Sequence, residues 1–154
     1  MKKKIIISAL SFFLIFACKK NVENATNNLG TQIILQTDVP AAVLNTFNAS
    51  FSKSTEREWR YEDDKYICQF NMNSQRHETA FDDNGHQDHH SVICLDEAVP
   101  QVVLTAFRSN FPNDFVDEWK FTNDNNWKAH FMRNEVKYET TISTNGSILK
   151  SKHD

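Results

Sequence analysis

Apolar residues recur at every fourth position in two separate stretches of the chain. In the first stretch they are Val39, Val43, Phe47 and Phe51, and residues 99–111 repeat this pattern sixty positions later. Apolar residues at this spacing lie on one face of an α-helix. The pattern therefore predicts two amphipathic helices, and each of them begins near a Val-Pro pair.

After each predicted helix the apolar period changes from four residues to two. Trp59 and Tyr61 alternate with charged residues, and the segments that follow continue the alternation. This pattern is typical of strands with one buried face. Asn-Gly pairs at 84–85 and 145–146 are strong hairpin signals. Each repeat therefore predicts one helix followed by an antiparallel meander, with further tight turns at 73–74 and 133–134.

The two repeats align along their whole length. The offset is 60 up to the tryptophans and 61 beyond them, and the extra residue falls in a polar turn, where an insertion is tolerated. The sequence therefore predicts an α+β fold of two tandem helix-plus-antiparallel-sheet modules, at residues 38–97 and 98–154. Modules of about 60 residues are marginally stable alone, which favours two copies that share an interface. Matched pairs include Val43/Val103, Phe47/Phe107, Trp59/Trp119, Phe70/Phe131 and Gly85/Gly146.

The chain begins with a basic stub and an uncharged apolar run at 5–17, which ends directly before Cys18. The run is shorter than the roughly 20 residues of a permanent membrane span, and it has the length of a signal-peptide core. Its end, Ile-Phe-Ala-Cys, resembles the lipobox of bacterial lipoproteins. We therefore expect residues 1–17 to be a lipoprotein signal peptide and Cys18 to carry the lipid. An ordinary signal peptide followed by a coincidental cysteine is the alternative.

An Asn-rich segment without helical periodicity follows the cysteine and predicts a tether at 18–37, with an apolar triplet at 33–35 as a short strand. Lys19 follows Cys18 in place of an acidic residue, which favours attachment to the periplasmic side of the outer membrane. Removing the leader lowers the formal net charge from −3 to −6. An acidic domain lacks the basic surface that binds nucleic acid, so we expect no nucleic-acid partner. We expect the protein to contact the membrane through the lipid on Cys18.

A cluster of histidines beside a carboxylate, His-Gln-Asp-His-His at 86–90, suggests a metal site. On a regular strand His86, Asp88 and His90 share one face, and His89 points to the other. Positions 86 and 90 of such a strand are about 13 Å apart, which is too far for both side chains to hold one ion without a bulge. A solvated strand and a weak metal site at these three residues are both open at this point.

Cys68 and Cys94 are the only cysteines after the predicted lipid anchor, and they do not form a Cys-x-x-Cys motif. In an oxidising envelope two such cysteines could form a disulfide. Cys68 lies between Tyr66 and Phe70 on the predicted buried face, so a buried free thiol is the alternative. Spacing in the sequence does not distinguish them.

The sheet face that points away from the helix is the candidate partner-binding surface. By strand alternation it carries charged side chains in both repeats, mixed with a few apolar ones, which suits a protein interface as well as an ordinary solvated face. No nucleophile has a catalytic motif around it, and three glycines provide no phosphate-binding loop. The candidate binding residues are Arg60, Gln69, Lys120, Lys128, His130 and Lys137.

The order Val-Pro, helix, Phe, Trp, Tyr-x-x-x-Phe and Asn-Gly, over residues 38–154, is similar to that of the PepSY-like family of small envelope proteins of Bacteroidetes-type bacteria. The resemblance implies a fold like that of β-lactamase inhibitor protein (BLIP), an envelope location and a binding or inhibitory role, and it implies no catalytic residues. We therefore expect a lipid-anchored, non-catalytic envelope protein that needs no cofactor and binds a protein or peptide partner. A carrier of a small ligand or a metal is the alternative.

Overall fold

The computed structural model describes residues 31–153, which form nine β-strands and two α-helices. A short 3-10 turn precedes each helix, and Pro40 and Pro100 are the N-cap residues. No helix within the described residues is long and apolar enough to cross a membrane. The elements are β1 Gln32–Ile34, α1 Ala41–Ser50, β2 Thr55–Glu62, β3 Lys65–Met72, β4 Gln75–Phe81, β5 Gln87–Cys94, α2 Gln101–Asn110, β6 Val116–Thr122, β7 Asn126–Arg133, β8 Val136–Ser143 and β9 Ile148–His153.

All nine strands belong to one antiparallel sheet, in which their spatial order is their order along the chain. The two repeats meet at β5 and β6, where Ser91 pairs with Thr122 and Cys94 pairs with Trp119. The predicted α+β, helix-plus-antiparallel-sheet composition is therefore confirmed. The sheet runs without a break across the boundary at 97–98, so the division into two modules stays a prediction.

Both helices pack on the same face of this sheet, each above the strands of its own repeat. Val43 and Phe47 of α1 are fully buried, and the Phe47 ring lies 5.1 Å from both Trp59 and Phe70, measured between ring centroids. Each fully buried apolar side chain of this size contributes about 1.5–3 kcal/mol to stability. The second cluster repeats the first with α2, and consists of Val99, Val103, Phe107, Trp119, Trp127, Ala129, Phe131 and Ile142.

The hairpin turns use residues that tolerate a left-handed backbone. Asn73 and Ser74 both have positive φ, as predicted for a tight turn. The corresponding turn of the second repeat is at Asn134 and Glu135, one residue later than predicted, because β7 continues to Arg133. Gly85 has φ +82°, and a Cβ there would lie 2.6 Å from the carbonyl oxygen of Ala42 in α1. The turn therefore packs against the first turn of the helix.

The predicted leader, Cys18 and the first part of the tether lie outside the described residues. The last part of the predicted tether contains β1, in which Gln32, Ile33 and Ile34 pair with the end of β2. The short strand predicted from the apolar triplet at 33–35 is therefore present, and it begins one residue earlier, at Gln32.

Candidate functional site

The sheet face without helices forms the wall of a cavity of about 890 Å³, lined by residues from Thr31 to Lys152. The sheet curves around this space. Burial alone raises the pKa of Glu62 on β2, but hydrogen bonds from Thr31 and Arg60 lower it below its usual value, helped by the charge of Lys137 on β8. On a flat sheet these strands would be about 29 Å apart, well beyond the range of a charge interaction in salt solution. We call this surface the concave face.

The floor of the concave face is built around Glu78 of β4, whose side chain is 4% exposed. Arg60 and Gln69 donate hydrogen bonds to its Oε2 at 2.8 and 2.9 Å. Lys120 of β6 donates to its Oε1 at 2.7 Å and is itself 8% exposed. The His89 ring lies on the remaining side, with Nε2 3.8 Å from Oε1. One carboxylate therefore links side chains from five consecutive strands, β2 to β6.

The charges of this group stabilise one another. Burial alone raises the pKa of Glu78, but the His89 ring and the charges of Lys120 and Arg60 outweigh it and hold the pKa far below its usual range. Burial alone lowers the pKa of Lys120, but the carboxylates of Glu78 and Glu118 raise it above its ordinary value. The floor is therefore a charged, internally neutralised network in which each ion depends on its partners.

A second carboxylate, Glu139 of β8, lies at the centre of a looser arrangement on the same face. Lys128 Nζ, His130 Nε2 and Lys152 Nζ lie 3.3, 3.5 and 3.9 Å from its carboxylate oxygens. Burial alone raises the pKa of Glu139, but its neighbours Lys128, His130 and Lys152 lower it below its usual value. Burial and the Lys120 charge lower the pKa of His130. The lysines here are partly exposed, at 31% for Lys128 and 47% for Lys152, so this corner is accessible to a partner.

The concave face contains every residue that the sequence named as a candidate for partner binding, although their binding role stays a prediction. The structure divides them into two groups. Arg60, Gln69 and Lys120 are occupied by Glu78, whereas Lys128, His130 and Lys137 surround or flank Glu139. Sequence reasoning missed Glu78 itself, although the 61-residue offset aligns it with Glu139. It also missed the lysines of β9, because the polar end of the chain gives a weak strand signal.

The predicted metal ligands His86, Asp88 and His90 do not converge in this structure. His86 precedes β5, is 82% exposed and contacts Asp82 at 3.0 Å. Asp88 lines the concave face, whereas His90 packs on the helix side. The expected alternation fails because the pairing of β4 with β5 shifts register at Ala80/Phe81. Within residues 31–153, no group of three or more His, Cys, Asp or Glu side chains is placed to hold a metal ion.

His90 instead completes a short hydrogen-bonded chain on the helix side. His77 Nε2 lies 3.0 Å from the carbonyl oxygen of Met72, which only accepts, so this nitrogen carries the proton. His77 Nδ1 is then an acceptor, and His90 Nε2 donates to it at 3.0 Å. Burial lowers the pKa of His90, and protonation of His77 or His89 would lower it further. The two rings are therefore packing and hydrogen-bonding groups of the first core.

Cys68 and Cys94 are free thiols, so the disulfide that the sequence left open is not formed. Cys68 pairs with Thr79, which pairs with His90, and Cys94 lies four residues further along β5. The register places the two Cα atoms roughly 16 Å apart, whereas a disulfide needs about 4.4–6.8 Å. Burial raises the pKa of the Cys68 thiol to about 12. Cys68 therefore acts as a small apolar core residue.

The sequence matches no family model and no curated protein sequence. Its fold is similar to that of several solved structures from Bacteroides. A DUF2874 family protein from Bacteroides uniformis has a TM-score of 0.58 at 17% identity, over 74% of this chain and 88% of the other. A second DUF2874 family protein, from Bacteroides ovatus, has a TM-score of 0.58 at 20% identity, over 74% and 86%. A BLIP-like protein from Bacteroides fragilis has a TM-score of 0.56 at 20% identity, over 74% and 86%. These likenesses show a shared BLIP-like α+β fold.

Proposed function

We propose that this chain is a lipid-anchored, non-catalytic protein of the bacterial cell envelope whose concave face binds a protein or peptide partner and inhibits it. Attachment through Cys18 to the periplasmic side of the outer membrane confines the domain to a surface where such partners are found. The proposal joins the leader sequence, the form of the concave face and the BLIP-like fold.

The observation that carries the proposal is the difference in charge and accessibility between two parts of the concave face. Its floor is neutralised by the Glu78 network, and its accessible part presents cations around Glu139. A small-molecule site is usually lined mainly by apolar and aromatic groups, with only a few polar ones. This cavity instead combines many charged side chains on one curved surface. A specific protein contact needs on the order of 800 Å² per partner, which a nine-stranded sheet can offer.

The comparisons add support from the fold. The similar protein from Bacteroides fragilis is BLIP-like, and a protein from Bacteroides eggerthii with a TM-score of 0.58 at 16% identity is proposed to be periplasmic. The resemblance of residues 38–154 to the PepSY-like family points in the same direction.

Crosslinking in the native envelope, followed by purification of the full chain, tests the proposal. We expect a stoichiometric protein partner with the wild-type chain and its loss when Lys128 and Lys137 are both replaced by Glu. The matched control replaces Lys53 and Arg108 by Glu, because it makes the same change in charge at two exposed positions outside the concave face. Retention of the partner by the Lys128/Lys137 variant would contradict binding at this face. Recovery of a bound small molecule or metal, with no protein partner, would favour the carrier alternative.

Membrane attachment has its own test. A Cys18→Ser variant is expected to leave the membrane fraction and appear in the soluble periplasmic fraction, because it lacks the thiol that carries the lipid. Unchanged fractionation of this variant would contradict the lipid anchor, while leaving the partner-binding proposal to the crosslinking result.

A further inference from the structure

The two repeats place equivalent positions in the same arrangement on the concave face, and we call each arrangement a lattice. Both lattices have a glutamate at the centre. In repeat 1 this glutamate is Glu78, and in repeat 2 it is Glu139. Three adjacent strands contribute to each lattice, and the register aligns its rows. In repeat 1 the rows are Ile67–Ala80–His89, Gln69–Glu78–Ser91 and Asn71–Arg76. In repeat 2 they are Lys128–Thr141–Lys150, His130–Glu139–Lys152 and Met132–Lys137.

The second lattice contains more positive charge than its own glutamate can neutralise. Glu78 is balanced by Arg60 of β2, which is 22% exposed, and by Lys120 of β6, which is 8% exposed. Around Glu139 the lattice holds four lysines, Lys128, Lys137, Lys150 and Lys152, of which Lys137 and Lys150 form no ion pair with any side chain of residues 31–153. Excess cations of one sign repel one another and therefore destabilise the isolated domain. Glu62 compensates part of the Lys137 charge across the cavity, since that charge lowers the pKa of Glu62, and the remaining excess favours an external anion.

Protection of the sheet edge explains only part of this pattern. Lysines on an exposed edge strand prevent pairing with other chains, and Lys150 and Lys152 lie on the edge strand β9. Lys128 and Lys137 lie on the inner strands β7 and β8, where no edge needs protection. The lysines share a location on one corner of the concave face, which is the property that a binding site requires.

An exposed aromatic residue borders the same corner. Phe115 is 87% exposed and directly precedes Val116, which pairs with Phe131 next to Met132. Met132 is 46% exposed, and it pairs with Lys137. Phe and Met are enriched at protein interfaces relative to the rest of the surface, so these two side chains suit a protein contact that extends beyond the lysines.

The shape of the concave face favours a protein segment over an anionic membrane. A planar bilayer cannot follow a concave surface to lysines on its wall. The opposite wall carries the carboxylates of Glu62, Asp63 and Asp88, which would repel an extended anionic surface. A narrow acidic segment can approach the lysines and avoid these carboxylates.

We propose that the Glu139 corner, formed by Lys128, Lys137, Lys150 and Lys152 with Phe115 at its margin, binds an acidic segment of the protein partner while Phe115 enters an apolar site beside that segment. This inference rests on the proposed function and names the partner's chemistry.

The test uses the full chain in detergent and three fluorescein-labelled ten-residue peptides, composed of glutamate, glutamine or lysine around a central leucine. Anisotropy titration should show binding of the glutamate peptide alone, and added salt should weaken it. Replacing Lys150 and Lys152 by Gln should weaken binding by about tenfold, since each exposed ion pair contributes modestly. Lys53→Gln with Arg108→Gln should change peptide binding less than about twofold. Phe115→Ser should instead reduce recovery of the protein partner in the envelope crosslinking experiment, because the peptide lacks the apolar site that Phe115 enters.

Several results would overturn the inference. One is equal binding of all three peptides, and another is preferential binding to phosphatidylglycerol vesicles of the same total charge. A third is aggregation of the Lys150/Lys152 variant, measured by light scattering, without any loss of peptide binding, because this would assign the lysines to edge protection alone. The peptide assay needs no native partner. If it fails while envelope crosslinking still recovers a partner, only the acidic-segment inference falls and the proposed function stands.

Discussion

Removing the carboxylate of Glu78 should strongly destabilise the fold, because this group connects the two repeats across β5. The Lys120 Nζ–Glu78 Oε1 distance is 2.7 Å, and both side chains are more than nine-tenths buried. In a Glu78→Ala variant, Lys120 would keep only Glu118, at 2.9 Å, and Arg60 would keep only Glu62, at 3.1 Å. The sheet would then contain two cations whose burial is only partly compensated.

Breaking a buried ion pair by removal of one partner costs about 3–5 kcal/mol, mainly because the other charge is left behind. We expect a loss in this range for Glu78→Ala. With a urea m-value of about 1–2 kcal/mol/M, the unfolding midpoint should fall by roughly 1.5–5 M. The Lys120→Met variant should lose less, about 1–2 kcal/mol, because Glu78 retains Arg60 and Gln69. In the double variant the two losses should not add.

Urea unfolding, followed by the fluorescence of the three buried tryptophans and by circular dichroism, measures these differences. The chain supplies its own control, since Glu139 occupies the equivalent position in repeat 2. Its side chain is 13% exposed, but its cations are partly exposed and lie at 3.3–3.9 Å, so Glu139→Ala should cost less than Glu78→Ala, about 1–2 kcal/mol. Equal losses for the two glutamate variants, or a loss below about 1 kcal/mol for Glu78→Ala, would refute the reasoning.

Three further predictions concern a turn, the pH dependence and a thiol. Gly85→Ala should cost more than about 1 kcal/mol in thermal unfolding, because Gly85 has φ +82° and the new Cβ would lie 2.6 Å from the Ala42 carbonyl oxygen. The loss for Gly146→Ala should be smaller, because there the nearest atom is a side-chain methyl of Val102 at 2.9 Å. The pKa of Glu78 is lower in the folded state than in the unfolded state, so its stabilising contribution is complete above its unfolded pKa and decreases as the pH falls. Glu78→Gln should therefore flatten the decline of the urea midpoint between about pH 5 and pH 3, and an unchanged slope would contradict this assignment. Cys68 should stay unmodified in brief iodoacetamide labelling of the native protein, as detected by peptide mapping, because it is buried and its pKa is about 12; rapid native labelling would contradict its burial.

Local pattern in the sequence was enough to determine the elements of this protein and the face that each one buries. A four-residue apolar period places Val43 and Phe47 on one side of a helix, and both are fully buried. A two-residue period likewise places Trp59 toward the core and its neighbour Arg60 toward the concave face. The hairpin turns followed from residues that tolerate positive φ. These features depend on neighbours within a few positions, so an amino-acid sequence records them directly.

Only the tertiary structure decided which side chains meet. Glu78 and Lys120 are 42 positions apart, and they meet because β4 and β6 flank β5 and the sheet curves. One shift in the pairing of β4 with β5 places Asp88 and His90 on opposite faces, so these two side chains do not converge as a regular strand would predict. The register of β3 and β5 likewise keeps Cys68 too far from Cys94 for the disulfide that the sequence left open. Register and curvature arise from the sum of all the strand contacts, so no short stretch of sequence contains them.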